Sequence, residues 1–538
     1  MAKKVNFVPL TPTSNMGIYI NKGNEGFRFS LNGEYVDKTL LIAEINKTLC
    51  TESRYSCVTR CRRFGKSMAA KMLCAYYDHS CHSRELFQGL KIATDSSFET
   101  HLNKYPVIYV DMTTFTTRFM NDSCVVLRMQ QELKADVLEA YPKVKIDEVD
   151  DLMNTLLKIA TQTGERFIMI IDEWDAILRE FDRNSSVTEE YVNLLRRLFK
   201  GLDSELTFAG VYLTGILPIK KYNTQSALNN FNEYSMVQPR RLAGYFGFTR
   251  EEVVRLCEKY AMDFKDVAEW YDGYQIGEEP SVFNPNSVMM AMRDGMCDSY
   301  WASTGAYDSI VRYIKMNYDG VKDGIIKMLA GGRCKVNTTK FQNDMSIINS
   351  RDDVFTVLIH LGYLAYDKAK TECYIPNKEV CMEMTNAVEA TDWKNLISSL
   401  EASENLLKAT LEGDEEAVAR GIDLAHDENT SILSYNDENS LACVLSIAYY
   451  YAKNDYIIHR ELATGKGFAD LVLIPRRKID SPALVLELKY NRDADSAIAQ
   501  IRRKQYPAKV AEYTGNLLLV GINYDKQTKT HTCRIERV

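Results

Sequence analysis

Over its first half the chain alternates short apolar runs with stretches of helical period. Tyr55–Thr59, Pro106–Asp111, Phe167–Ile171 and Thr207–Thr214 are short, largely apolar runs rich in β-formers, the second ending in a carboxylate, with no polar alternation. That pattern belongs to strands buried on both faces. Between them, Leu40–Ile45, Met68–Tyr77, residues 121–160 (broken near Pro142) and Tyr191–Phe199 repeat apolar residues at helical spacing. Strands separated by helices predict an α/β fold, a parallel sheet with helices on both faces. Residues 215–380 read as mostly helical, with aromatic turns at Trp270-Tyr-Asp-Gly-Tyr274, Phe283-Asn-Pro285 and Tyr300-Trp301 that fit packing anchors of a lid or adaptor. His360–Leu364 and Tyr374–Asn377 suggest a small hairpin or winged element, and residues 385–430 are acidic helices. After an apolar helix at 441–452 the pattern changes again. Leu471–Ile474 and Ala483–Tyr490 flank a polar turn, Pro475–Pro482, and predict an antiparallel pair.

A length of 538 residues exceeds a single core and predicts several domains. The net charge of −7 requires any nucleic-acid contact to come from a local basic surface. No apolar run approaches the ~20 residues of a membrane helix, and Met1-Ala-Lys-Lys-Val-Asn lacks an apolar signal segment. The expectation is a cytoplasmic chain without a membrane partner. The 13 cysteines are scattered through apolar segments and read as reduced core thiols. Cys74, His79, Cys81 and His82 lie close in sequence but match no standard zinc spacing.

The first chemical signal follows the first strand. Gly65-Lys66-Ser67 stands between that strand and a helix, the setting of a phosphate-binding loop. Backbone N–H groups at the helix start would cradle phosphates, Lys66 would meet the β and γ oxygens, and Ser67 would reach Mg²⁺. The usual first glycine is absent, and Arg60 stands in its place. The third strand then delivers Asp172 and Glu173 at its carboxyl end, where open parallel sheets bind ligands. Asp172 is the candidate Mg²⁺ ligand, and Glu173 the group that polarises the attacking water. Thr214 ends the fourth strand and reads either as a γ-phosphate sensor or as an ordinary turn residue. Tyr35-Val-Asp-Lys-Thr39 reads equally as a helix cap or as a segment flanking the nucleotide.

The second signal is in the C-terminal segment. With a hairpin centred near Arg477-Lys478, Asp470 and Glu487 become cross-strand neighbours. Lys489, two residues on, shares the face of Glu487, while Leu484, Leu486 and Leu488 take the other. Asp, then Glu-x-Lys, is the arrangement of a metal-dependent phosphodiester hydrolysis site. The carboxylates would hold Mg²⁺ or Mn²⁺, and Lys489 would orient or deprotonate water or neutralise the transition state. Gln500 on the next helix adds to the set, and Arg502, Arg503 and Lys504 could face a phosphate backbone.

The chain resembles a bacterial family of AAA-ATPase-like proteins with a C-terminal PD-(D/E)XK nuclease-superfamily domain. The resemblance rests on Tyr35–Thr39, Arg62-Arg-Phe-Gly-Lys-Ser67, Ile171-Asp-Glu173, Leu213-Thr-Gly215, Trp270-Tyr-Asp-Gly273, Asn284-Pro285, Ile375-Pro-Asn377, Glu438-Asn-Ser440, Gly465-Lys-Gly467, Asp470, Glu487-Leu-Lys489 and Gln500. The family's phosphate loop reads Arg-Pro-Arg-Arg-Phe-Gly-Lys. Arg60 matches its first arginine and Cys61 replaces its proline. The resemblance implies an ATP site that includes Arg62, Arg63, Phe64, Gly65, Lys66 and Ser67. It also implies a helix carboxylate on the metal, for which Glu438 fits, with Glu461 as second candidate. The expected organisation is a P-loop AAA-ATPase-like domain at 1–240, a helical lid or adaptor region (winged-helix-like) at 241–384 and a restriction-endonuclease-like domain at 385–538. Two readings stay open: an ATP-driven nuclease acting on nucleic acid, DNA ahead of RNA, in defence or mobile-element handling; and a nucleotide switch whose nuclease fold only binds nucleic acid or a partner. Arg196, Arg197, Arg240 and Arg241 are candidates for an arginine supplied to a neighbouring copy, which would make the chain a homo-oligomer.

Overall fold

The computed structural model describes residues 17–120, 122–181, 186–219, 228–301, 311, 313–314, 316, 318–329, 331–341, 348–389, 394–429, 445, 448–449, 452, 456–464, 467–475, 481–503 and 516–538. Within these, the side chains of 389, 394–401, 427–429, 460–464 and 467–470 are outside the description. The chain divides into two compact units, residues 1–303 with 336–380 and residues 304–335 with 381–538. Most of the helical region expected at 241–384 therefore packs within the first unit.

The first unit is built on a parallel sheet of β1 (Tyr55–Thr59), β2 (Val107–Asp111), β3 (Phe167–Asp172), β4 (Phe208–Gly215) and β5 (Asn232–Tyr234), in the order β2-β3-β4-β1-β5. The four strands legible in the sequence are all present. β1, β3 and β4 are buried at every position. Alternation explains the continuous apolar runs: Phe167, Met169 and Ile171 enter one core, and Ile168 and Ile170 enter the other. The first core is closed by helices Val125–Ala140, Leu152–Thr163 and Ser186–Phe199. The second is closed by α1 (Leu40–Asn46) and α2 (Lys66–Tyr77). A short helix α3, Ala176–Glu180, follows β3.

Beyond β5 the same unit adds α4 (Arg250–Tyr260), a helix at Phe264–Tyr271 and α5 (Pro285–Asp294), packed on a core that includes Val253, Leu256, Tyr271, Phe283 and Val288. Asn284 caps α5 by accepting from Asn286 N at 2.9 Å, with Pro285 in the first turn, so this aromatic turn is also a helix start. A hairpin is present, but not on the segments expected: Ala365–Asp367 pairs antiparallel with Glu372–Tyr374, while His360 and Leu361 end a helix, Arg351–Leu361, that Gly362 caps. Trp270-Tyr-Asp-Gly273 docks the hairpin. Gly273 has φ +113°, a Cβ there would fall 1.9 Å from Pro376 O, and its carbonyl accepts from Tyr374 Oη at 3.0 Å.

The second unit carries a sheet of β6 (Tyr456–Thr464), β7 (Gly467–Pro475), β8 (Ala483–Tyr490), β9 (Leu517–Asp525) and β10 (Thr530–Arg537), in that order. β8 and β9 are parallel and the other neighbours antiparallel. Helix α6, Ala494–Arg503, lies on one face with Val485, Ile498, Ile501 and Leu519. Leu484, Leu486 and Leu488 enter the opposite core, with residues of helices Lys394–Glu412 and Glu415–Asn429. No helix among the described residues is long and apolar enough to cross a membrane. The described cysteines are free thiols; half of them are buried, Cys81, Cys297, Cys381 and Cys533 are partly buried, and Cys50 and Cys124 are exposed rather than in a core. Cys74 is a buried residue of the α2 core, and no group of three or more metal-ligating side chains occurs among the described residues.

Candidate functional site

The loop between β1 and α2 begins with Arg60, which is fully buried. Its Nη1 donates to Thr59 O at 2.9 Å and Tyr234 O at 2.7 Å, its Nη2 to Leu242 O at 3.4 Å, and its guanidinium lies 5.3 Å from the Phe246 ring centroid. Burial pulls its pKa down to about 10. Arg60 is thus a clamp behind the loop, with no role at its phosphate-facing surface. Gly65, at φ +87°, makes the turn into α2, a conformation that an L side chain rarely adopts. Phe64 is buried with its ring edge-on to Tyr274 at 5.3 Å, Arg63 is exposed at φ +66°, and Arg62 is half-buried.

Lys66 is 4% exposed, donates to Cys61 O at 3.1 Å and lies 3.7 Å from Glu173 Oε1. Asp172 and Thr214 are Cα partners on β3 and β4. β4 thus stands between the loop strand and the carboxylate strand. Asp172 accepts from Tyr109 Oη at 3.3 Å and from the Ser67 hydroxyl. Burial pushes its carboxyl up to about 6, the Ser67 hydrogen bond opposes this, and the Glu173 and Asp111 charges add to it. The Ser67 hydroxyl and the buried Asp172 carboxylate are hard oxygen donors of the kind Mg²⁺ takes, and its charge would offset the repulsion that Glu173 and Asp111 add. Thr214 is fully buried, and its hydroxyl has no hydrogen-bond partner among the described residues.

Glu173 sits at φ +50°, and its Oε2 is 2.7 Å from Arg179 Nη2 on α3. Arg179 also lies 3.1 Å from the buried Asp175. Asp175 in turn accepts from the backbone of Ile216 and Leu217, which follow β4. Beside Lys66, Ser67 and Glu173 opens a cavity of about 440 Å³. Its wall includes Glu34, Tyr35, Val36 and Lys38, so the Tyr35–Thr39 segment does flank the phosphate loop, besides preceding α1. Phe248 and, from α5, Met289, Met290 and Arg293 complete much of the lining. The sequence reading missed Arg179 and Arg293. The one findable signal was helical spacing on α5, which places Met289, Met290 and Arg293 within about a turn of one another. Arg197 is engaged within its own fold by Asp151, Asp203 and Asn154, and Arg241 by Glu44. Arg196 donates to Asn193, and Arg240 sits at φ +48°.

In the second unit β7 and β8 pair through Leu471 and Leu486. Continued by one residue, that register sets Asp470 across from Glu487 on the backbone. Asp470 lies within β7 rather than at its start. Glu487 is 2% exposed, with Lys489 Nζ 3.4 Å from its Oε1. Gln500 Nε2 from α6 donates to the same oxygen. Gly521 is the β9 partner of Glu487, and a Cβ there would fall 2.5 Å from Ala494 O. Glycine at that point lets α6 close on the sheet and bring Gln500 to Glu487. A buried carboxylate is a donor of the kind Mg²⁺ and Mn²⁺ take. Glu438 lies outside the described residues; Glu461 is on β6 and Asp470 on β7, with side chains outside the description.

Residues 29–224 match the family described as predicted AAA-ATPase, and residues 436–533 match the PD-(D/E)XK nuclease superfamily. An uncharacterized protein in the vnfD 5' region of Azotobacter chroococcum mcd 1 is 24% identical over 281 residues, 50% of this chain and 50% of that protein. The chain thus spans about half the length of the curated relative it matches. Among solved structures, Cdc6p from Pyrobaculum aerophilum aligns over 65% of this chain and 93% of its own at 9% identity and a TM-score of 0.26. ORC2 from Aeropyrum pernix, in ADPNP–ADP complexes, aligns over 66% and 93% at 12% identity and a TM-score of 0.24.

Proposed function

We propose that this chain, which carries an AAA-ATPase-like domain at residues 29–224 and a PD-(D/E)XK nuclease-superfamily domain at residues 436–533, binds and hydrolyses ATP and couples that cycle to metal-dependent hydrolysis of phosphodiester bonds in nucleic acid. The observation that carries the hydrolytic reading is the convergence of Lys489 and Gln500 on the buried Glu487. Burying a carboxylate is costly unless it is partnered, and the partners that Glu487 has are the ammonium and the amide of the Glu-x-Lys…Gln pattern that hydrolysis calls for. In this reading Asp470 and Glu487 hold Mg²⁺ or Mn²⁺, with Glu438 or Glu461 as a third carboxylate, and the metal supplies the Lewis acid. Lys489 orients the water or meets the developing phosphate charge, and Gln500 fixes Glu487.

In the first domain Lys66 meets the β and γ oxygens, Ser67 and Asp172 hold Mg²⁺, and Glu173 directs the water. The backbone of Arg62–Gly65 lines the phosphates, and Thr214 reports on the γ-phosphate. The cavity wall of Tyr35, Val36, Phe248, Met289 and Met290 offers an apolar seat for a base, with Arg293 as a further cation. DNA in the cytoplasm, met in defence or mobile-element handling, is the proposed substrate, and a homo-oligomer the proposed assembly.

The test is incubation of the purified chain with plasmid and single-stranded DNA and RNA, with Mg²⁺ or Mn²⁺, with and without ATP. Metal-dependent cleavage that changes with ATP is the expected result. ATP turnover without any cleavage would favour a nucleotide switch whose nuclease fold only binds.

A further inference from the structure

The two oxygens of Glu173 face different cations. Oε1 points to Lys66, 3.7 Å away, and Oε2 is held by Arg179 Nη2 at 2.7 Å. Lys66 is the residue that a bound phosphate would draw off. Arg179 has other commitments: it is 12% exposed and lies 3.1 Å from Asp175, itself fully buried. Asp175 is fixed by the backbone N–H groups of Ile216 at 3.2 Å and Leu217 at 3.0 Å, where the chain leaves β4. No side chain larger than hydrogen fits at the adjoining Gly215, because a Cβ there would fall 2.3 Å from Asp175 Oδ1. The chain Glu173–Arg179–Asp175–β4 exit is therefore packed tightly and reaches from the candidate water-activating carboxylate to the strand that carries Thr214 as its penultimate residue.

We propose that Arg179 is the positioning residue of the ATP site: it anchors one oxygen of Glu173 so that the other stays turned to the phosphate side when Lys66 engages nucleotide, and it ties that orientation to the β4 exit. The inference rests on the proposed ATP site. A base oriented by a third, buried group is a general arrangement in activated-water and activated-nucleophile sites. Arg179 touches no nucleotide in this scheme. Its second effect is on binding. Without Arg179, Lys66 is the one cation left close to the Glu173 carboxylate among the described residues, and the carboxylate pairs with it in competition with phosphate.

The experiment is a double-variant cycle on the full chain with Arg179→Ala, Glu173→Gln and both together, read by titration of an N-methylanthraniloyl-ATP probe and by steady-state ATP turnover. Arg179→Ala is expected to weaken probe binding by about threefold to tenfold and to lower kcat by about tenfold or more, the range of a lost orienting contact. In the Glu173→Gln background the same change is expected to leave both within about twofold. Arg179→Lys keeps one cationic contact and is expected to recover most of the binding and part of kcat. Equal losses in both backgrounds would mean that Arg179 merely supports the fold, and would overturn the proposal. No change in either readout would overturn it as well. Failure of the wild type to bind the probe at all would instead overturn the ATP site itself, and this inference with it. Probe binding without wild-type turnover would remove hydrolysis and leave the binding cycle to decide the role of Arg179.

Discussion

Lys489 Nζ lies 3.4 Å from Glu487 Oε1, and the two are the exposed-end and buried-end partners of one strand face, at 14% and 2% exposure. The pair separates metal binding from chemistry. An ammonium is not a metal ligand, whereas a carboxylate is. Lys489→Ala is expected to abolish nucleic-acid cleavage while leaving Mn²⁺ affinity, measured by calorimetry, within a few-fold of wild type. Asp470→Ala with Glu487→Ala is expected to lose both, with ATP turnover largely intact because those residues lie in the other unit. Unchanged metal affinity in that double variant would remove Asp470 and Glu487 from the site.

Lys66→Ala removes the cation proposed to meet the β and γ oxygens and is expected to weaken ATP binding and turnover by about two orders of magnitude. Glu173→Gln keeps the side chain's shape and is expected to bind ATP while turning it over at least about tenfold more slowly. A Glu173→Gln variant with wild-type turnover would take Glu173 out of the reaction.

Asp172 gives a pH-dependent expectation for the nucleotide- and metal-free protein. Burial raises its folded-state pKa from 3.8 to about 6. The folded state therefore holds more proton than the unfolded state across that interval, and stability falls as pH rises through it. Above pH 6 the ionised, buried carboxylate costs an upper bound of about 3 kcal/mol, from roughly 1.4 kcal/mol per pK unit. Asp172→Asn is expected to raise Tm in EDTA at pH 7.5, to do so much less at pH 4, and to lose its advantage when Mg²⁺ and ATP are added to both proteins. Equal Tm shifts at both pH values would show that Asp172 carries no such charge penalty.

The parallel sheet was legible because strands buried on both faces leave unbroken apolar runs, as in Phe167–Ile171. β5 was not: Asn232–Tyr234 is short and half-buried, and only pairing with β1 makes it a strand. The strand order is set by long-range packing that no local pattern records. The cross-strand relation of Asp470 and Glu487 followed from the symmetry of a hairpin, and the register of β7 and β8 has that symmetry. Arg179 was invisible for a different reason. It lies on a helix of five residues, Ala176–Glu180, too short to show a period, and its meaning comes from Glu173 and Asp175 folding back on it. β6, β9 and β10 complete the sheet that holds Glu487, and their place in it is set by pairing across the sheet.

Arg60 stands where a phosphate loop usually has its first glycine, and the structure makes the opposite of a repair out of Arg60→Gly. The guanidinium is fully buried without a carboxylate against it among its described contacts, and it donates to carbonyls of β1, β5 and the 240–245 turn. Glycine would leave those carbonyls without donors and open a cavity between the loop and the Phe246 ring. Large buried truncations cost about 3–5 kcal/mol, and each orphaned acceptor about 1 kcal/mol or more. Arg60→Gly is therefore expected to lower Tm by several degrees and to weaken ATP binding through a loosened loop, with no gain in turnover. Arg60→Met fills the volume but supplies no donors and is expected to fall between glycine and wild type. Arg60→Lys keeps a charge yet cannot reach three carbonyls in a fork, so it too is expected to be destabilised. Circular dichroism melts alongside fluorescent-nucleotide titration measure both effects. An Arg60→Gly protein with wild-type Tm and tighter nucleotide binding would show that the arginine is an imperfect glycine after all and that the clamp has no function.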